Sequence, residues 1–423
     1  MFNKINLKNY FKEAEFFEKL IIFLPISLIL GNFALNINIL SIILSFFVEK
    51  FEEIKFKIKL DHIIIFLFLF FSIFNILLST DVLLSAKGFL GILKHGLLFM
   101  SLAIFFKKKK NLTHLSFIFF VSLNFVLFDT MLQYFTGKDI FGYESLVNIG
   151  KDLTSFRLSG PFGDEFIVGG YLKNIFLVSI VIFLIDKKKK LFFYYLSFTL
   201  IIIFFSGERS SSVMFCFFCV LIISFLNYSL KKKVFLFLLL SFTLTLFFTI
   251  NDNLRKSTFD RTLKQFGMVE SKVSYSEHKN FFDSQWGAHF LTAYEIFKDN
   301  KVIGSGFKNF RVVCANKKYD DINSHRANSR CATHPHNIYL EILSETGIIG
   351  LLFFIFIIFK TIKIQIRRML FSSPDNYLFS LSLLSIFVIL FWPLQTTGSF
   401  FSTYNGFFYW FYGALIYSKK NYL

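Results

Sequence analysis

Ile63–Phe74 reads IIIFLFLFFSIF and Leu351–Phe359 reads LLFFIFIIF. Both runs are continuously apolar and lack the alternation of a barrel strand, so they read as helices in hydrocarbon. With their flanks they approach the length that spans ~30 Å of bilayer core at about 1.5 Å per residue. The same texture extends outward through all 423 residues, of which 54% are hydrophobic and 66 are phenylalanine. A soluble domain carries less apolar material. The expected fold class is therefore an all-α polytopic membrane protein.

Helices are expected at Leu20–Asn32, Phe33–Val48, His62–Leu78, Lys87–Phe106, Thr113–Tyr134, Phe166–Ile185, Leu191–Phe205, Arg209–Leu230, Val234–Ile250, Ile348–Phe359, Tyr377–Leu394 and Phe401–Tyr417. In the first pair, ILGNFALNIN is either a turn between short helices or part of one tilted span. No small-x-small site with a polar start follows the first apolar stretch, so that segment is expected to be retained.

A formal charge of +18 raises nucleic acid as a partner. The basic residues, however, sit in short clusters between apolar runs: Lys107–Lys110, Lys187–Lys190, Lys231–Lys233, and Arg367 with Arg368. That placement speaks for topology and against nucleic acid. Lys4, Lys8 and Lys12, EKFEEIKFKIK, these clusters and the terminal KK fall on every second junction. The alternate junctions are STDVLLSA, a loop near 135–165, SGERSSS, a large segment 251–337, and TTGSFFS. About twelve spans with both termini cytoplasmic satisfy the positive-inside rule.

This divides the chain into N-terminal helices (1–134), a periplasmic loop (135–165), helices carrying SGER at their outer end (166–250), a large periplasmic segment with short helices (251–337) and C-terminal helices (338–423). Cys216 and Cys219 lie in an apolar helix and read as small hydrophobes. Cys314 and Cys331 share the large outer segment, and they are expected to pair if that side is oxidising.

The polar motifs gather on one face. FFDSQWGAHFLTAYEIFKDN is expected to pack Trp286, Phe290, Ala293 and Phe297 on the membrane domain. In IGSGFKNF the glycines allow either a plain turn or close approach to a phosphate. CATHPHNIYLEILSETGIIGLL, Cys331–Leu352, is read as an interfacial helix with Pro335 in its first turn and Thr333 as cap. A neutral imidazole at His336 can accept a hydroxyl proton near neutral pH; a capping or stacking role stands beside that reading. Arg157 in RLSG and Arg209 in SGER are either anchors at the interface or bidentate ligands for a pyrophosphate. Lys94, Asp129 and Lys173 are expected roughly 8 to 12 Å below the outer face, as a partly neutralised cluster or a structural pair. His334 is expected to shape the loop, and the two histidines are too isolated for a zinc site.

These motifs resemble the O-antigen ligase and O-antigen polymerase superfamily of bacterial envelope glycan assembly. HNIYLEILSETGIIGL matches its signature at His336, Asn337, Gly347, Gly350 and Leu351; LQYFTGKDIFG, RLSGPFGDE, SGERSSS and IFKDNKVIGSGFKNF follow its order over about Leu132–Phe359. The resemblance implies a membrane glycosyltransferase that moves a glycan from undecaprenyl pyrophosphate to an acceptor sugar, without metal, nucleotide or other cofactor. By motif, His336 would be the base, and Arg157 and Arg209 would hold the leaving pyrophosphate with inversion at the anomeric carbon. Arg311, Lys94, Lys173, Asn337 and Glu208 are candidate substrate contacts. Asp164 and Glu165 stand where many members have Pro-Asn. The implied partners are the lipid-linked donor, a lipid A core or lipid-linked acceptor and membrane lipid, in the bacterial inner membrane. Ligase, polymerase and protein-glycosylating branches share these groups. A flippase or polysaccharide transporter is the competing class, but its charges are expected near the midplane, with small external loops and repeated halves.

Overall fold

The polypeptide satisfies its backbone within helices, as a chain in hydrocarbon must. In the computed structural model, which describes residues 6–50, 60–145, 156–265, 268 and 280–418, the main elements are helical. They are α1 (Asn32–Lys50), α2 (Leu60–Leu77), α3 (Val82–Phe105), α4 (Lys109–Thr136), α5 (Val168–Ile185), α6 (Lys189–Phe205), α7 (Arg209–Phe225), α8 (Leu230–Ile250), α9 (Gln285–Asp299), α10 (Ile338–Leu370), α11 (Pro374–Leu390) and α12 (Thr403–Tyr417). Among the described residues the β structure is confined to isolated bridge positions, such as Lys138 with Glu144. Six of these helices, α1, α3, α4, α5, α8 and α10, are long and apolar enough to cross a membrane. The chain is a multi-pass membrane protein.

The first expected span is corrected. Instead of one helix over Leu20–Asn32, Phe16–Ile22 and Leu24–Ile29 form two short helices, and Gly31 at φ 94 turns the chain into α1. Pro25 in the first turn of the second helix cannot donate to a preceding turn, which favours the break. The expected start of the helix after His336 is also corrected. α10 begins at Ile338, capped by Asn337 rather than Thr333, and Gly347 (φ 63, ψ −167) breaks its helical path before the membrane run.

The junctions sort into two ends. Lys50 pairs with Glu15 at 2.8 Å, Lys108 with Glu18 at 2.7 Å, and Lys187 with Asp375 at 2.7 Å, joining basic junctions. At the opposite end the Thr80 amide donates to Ser305 O at 3.1 Å and the Asp81 amide to Asn309 Oδ1 at 2.7 Å. EKFEEIKFKIK apart from its first two residues, residues 146–155, most of 266–279 and the terminal KK lie outside the described residues.

α5 runs through the middle, buried on all sides against α4, α6, α7 and α11. Its Ser179 hydroxyl donates to Phe119 O of α4 at 3.0 Å. This enclosure holds Gly169 and Gly170, the first turn of α5, under the SGER turn.

Candidate functional site

At SGER, Gly207 sits at φ 73, and a side chain there would meet Phe156 O at 2.2 Å. Its bare backbone lets Leu158 N donate to Ser206 O at 3.1 Å, which lays Arg157 along the turn that leads to Arg209. Glu208 accepts from Gly169 N at 2.6 Å, Gly170 N at 3.1 Å and the Ser211 hydroxyl at 3.0 Å. A carboxylate at the N-terminus of α5 complements the helix dipole, so Glu208 is occupied in holding the turn. Arg209 donates to Gln265 Oε1 at 2.8 Å, and the charges of Arg157 and Arg261 both reach it. Three guanidinium groups thus share one corner. Burial and the Arg157 charge hold Arg261 below its usual value. Such a corner is suited to an anion with several oxygens.

The histidine motif forms a second corner. Ring centroids lie 4.1 Å apart for His334 and His336, 4.5 Å for Trp286 and His336, and 5.2 Å for His289 and His336. His336 has φ 58, a left-handed conformation that is uncommon for a residue with a Cβ. Its carbonyl accepts from Thr397 N at 2.8 Å, and the His334 ring reaches Thr397 O at 3.2 Å. Burial and the neighbouring imidazoles push His336 down to about 3 and His334 down to about 4, so both are neutral near pH 7. Asn337 caps α10 through Tyr339 N and Leu340 N and donates to Pro393 O at 2.7 Å; its polar atoms serve the fold.

The loop between α11 and α12 joins the two corners. The hydroxyl of Ser210, next to Arg209, donates to Thr396 O at 3.0 Å, one residue before the threonine that holds His336. The same loop is anchored by Glu341, which accepts from the Phe400 amide at 2.7 Å and from the Ser399 hydroxyl.

A third group surrounds GSGFKNF. Gly304 has φ 83, and a side chain there would lie 2.3 Å from the Glu345 backbone, so the loop wraps tightly on the break in α10. Glu345 accepts from Lys308 N at 2.5 Å and Phe310 N at 3.1 Å. This is a built turn. Arg311 follows in the next helical turn, and its charge reaches Lys308, His334 and Glu341. The expected pair Cys314 and Cys331 is joined, with Cα atoms 5.3 Å apart, which ties the Arg311 segment to the start of the histidine motif.

The inner charges are corrected. Lys94 donates to Asn36 Oδ1 at 2.6 Å and Thr403 Oγ1 at 3.0 Å, and it feels Lys308. Asp129 accepts from Ile140 N at 2.8 Å, capping a different loop. Lys173 lies in the field of Glu208. The three belong to three environments, because each has its partners on a different segment: Asn36 and Thr403 for Lys94, Ile140 for Asp129 and Glu208 for Lys173. The buried face of α9 is likewise rotated from the expected Trp286, Phe290, Ala293 and Phe297 to Ala288, His289, Thr292, Ala293 and Ile296. His289 was indistinguishable in sequence from a lone core histidine; Lys308 lies inside GSGFKNF without standing out there, and Arg261 and the two threonines carry no motif of their own.

No curated protein matches the chain. Residues 194–355 match the family model described as O-antigen ligase, a stretch that runs from α6 through Arg209, the outer segment and His336 into α10. The resemblance carried by the sequence motifs and this match agree: over residues 194–355 the chain is similar to the O-antigen ligase family.

Proposed function

We propose that the chain transfers a glycan from undecaprenyl pyrophosphate to a hydroxyl of an acceptor saccharide at the outer face of the inner membrane. The observation that carries this reading is the Thr396–Thr397 link, which sets a neutral His336 beside an arginine corner. In the step, His336 takes the acceptor hydroxyl proton, and the freed oxygen attacks the anomeric carbon. The bond from that carbon to the pyrophosphate oxygen breaks, the electron pair leaves with polyprenyl pyrophosphate, and configuration inverts. Arg157, Arg209 and Arg261 meet the charge that develops on the leaving group.

The low basicity that burial imposes on His336 fits this order of events. A pyrophosphate arriving nearby favours imidazolium and raises that basicity when the base is needed. The end carrying the Cys314–Cys331 pair would face the periplasm, where disulfides persist, and the lysine-rich end with both termini would face the cytoplasm. About twelve spans, the inner-membrane location and the lipid carrier all belong to this reading.

Mass spectrometry of carrier-linked glycans tests it in cells whose only copy is wild type or His336→Ala. Loss of a general base lowers transfer by about 10²–10⁴-fold. Accumulated single repeat units identify a polymerase, and accumulated long polymer on the carrier identifies a ligase. An unchanged carrier pool sinks the assignment of His336.

A further inference from the structure

The aromatic side of α9 has no role in the proposed transfer step. Trp286, Phe290, Tyr294 and Phe297 recur at the spacing that lines one face of a helix. The buried face lies beside it: Ala293 and Ile296 pack with Phe310, Val313 and Tyr319. Trp286, Phe290 and Phe297 are half-buried, while Tyr294 is 46% exposed. Phe282, just ahead of the helix, is 48% exposed. Large aromatic side chains in a row at a surface mark a contact with something else.

The row begins at the base, with the Trp286 ring 4.5 Å from that of His336. From there it runs about 16 Å to Phe297, at about 1.5 Å per residue. Past the end of α9, Lys301 O accepts from Ile348 N at 2.9 Å, so the helix finishes at the Gly347 break of α10. The rings of Tyr339 and Phe354, on either side of that break, lie 5.5 Å apart, so the chain turns sharply there. The Ser305 amide donates to Ser344 O at 3.0 Å, and Ser305 O accepts from Thr80 N at 3.1 Å, which puts the turn at the end of the bundle that holds the polar junctions. α9 thus climbs from His336 to that end. There Lys298 pairs with Glu295 at 2.7 Å and Lys318 with Asp299 at 2.5 Å. Such part-exposed ion pairs belong in water, so the far end of the row faces water rather than lipid tails.

We propose that this row is a track for the donor saccharide, whose rings stack on Trp286, Phe290 and Tyr294 between the reacting sugar and open water. The track rests on the transferase reading and deepens it. An aromatic face carries negative charge density. The C–H bonds on one face of a pyranose ring are its complement, and the hydroxyls at the ring edge stay hydrated. A saccharide chain repeats such faces along its length, as the helix repeats its aromatics. The direction of α9 selects the donor over the acceptor. In the transfer step the donor sugar lies between the arginine corner and His336, and the rest of the donor chain ends free in water. An acceptor anchored in lipid leads back toward the membrane instead. Longer donors therefore make contacts that a single sugar lacks.

Native mass spectrometry of the full chain in nanodiscs tests the track without requiring transfer. The probes are carrier-linked saccharides extracted from cells that express the chain and, for comparison, sugar-free undecaprenyl pyrophosphate. Wild type should bind the saccharide-bearing carrier more tightly. Tyr294→Leu and Phe290→Leu keep apolar bulk but remove the aromatic face, and each should weaken that binding by about twofold to tenfold while the sugar-free carrier is unaffected. Tyr294→Trp should retain it. Arg209→Met and Tyr294→Leu should weaken the same bound molecule, and the double variant should lose about the product of the two factors. A Tyr294→Leu effect confined to a second bound molecule, with the Arg209-dependent one untouched, moves the track to the acceptor and overturns the donor assignment. Equal loss for both probes makes the row a lipid contact, and unchanged binding in variants that melt like wild type leaves it without a ligand; either result overturns the proposal. These failures are separate from failure of the transferase reading, which the His336→Ala carrier pool reports.

Discussion

α5 and α8 are equally apolar, with a mean hydropathy of 2.1 over their best windows, yet 89% of the α5 window is buried and none of the α8 window is. α5 is the spine of the bundle, whereas α8 lies against its outside. Lipid tails are as apolar as leucine, so hydropathy alone does not drive one apolar helix inward and leave another out. Small and polar side chains decide it. In α5, Gly169 lies under SGER, Ser179 bonds α4, and Asn174 O accepts from the Tyr412 hydroxyl of α12. In α8, Thr243, Thr245 and Thr249 bond back to carbonyls of their own helix and offer neighbours nothing.

The comparison breaks most completely at Gly169. A Cβ there would lie 2.9 Å from Ser206 Oγ and 3.1 Å from Glu208 Cβ. Gly169→Leu should overpack the contact, destabilise the chain by about 1–3 kcal/mol and shift the Arg209 turn. The expected readout is a lowered melting temperature in detergent together with weakened undecaprenyl phosphate binding. Unchanged melting would show that α5 does not need the close approach. Ser179→Ala is the intermediate case: one interhelical hydrogen bond is lost, worth about 0.6–2 kcal/mol in a membrane, with the site undisturbed. Leu238→Ala on α8 should have the smallest effect, within about 0.5 kcal/mol, since Leu238 is 64% exposed and faces lipid before and after folding within the bilayer. A large loss there would mean that α8 is covered by protein.

The same contrast explains what could be read in advance. Helix positions and the alternation of basic and polar junctions follow from local composition, because each apolar run must satisfy its own backbone and each lysine cluster must stay in water. The two exceptions are instructive. Pro25 broke the stretch Leu20–Asn32 that hydropathy joined, and Asn337 took the capping role expected of Thr333, since the left-handed His336 separates Thr333 from the helix. At the site, Arg157, Arg209 and His336 announce themselves by motif. Their common location depends on Thr396, Thr397 and Ser210, ordinary hydroxyl residues whose use depends on backbone contacts between segments distant in sequence.

Composition along single segments dictates a multi-pass helical membrane protein with two chemically distinct ends, and it displays the motif residues. Those features depend on composition within one segment, where solvation in water or hydrocarbon is the governing term. Packing between segments encloses α5 and leaves α8 outside. It also separates Lys94 from Asp129. Each of these outcomes depends on which backbones can approach closely enough for a buried polar group to find its partner, and that is a property of pairs of segments.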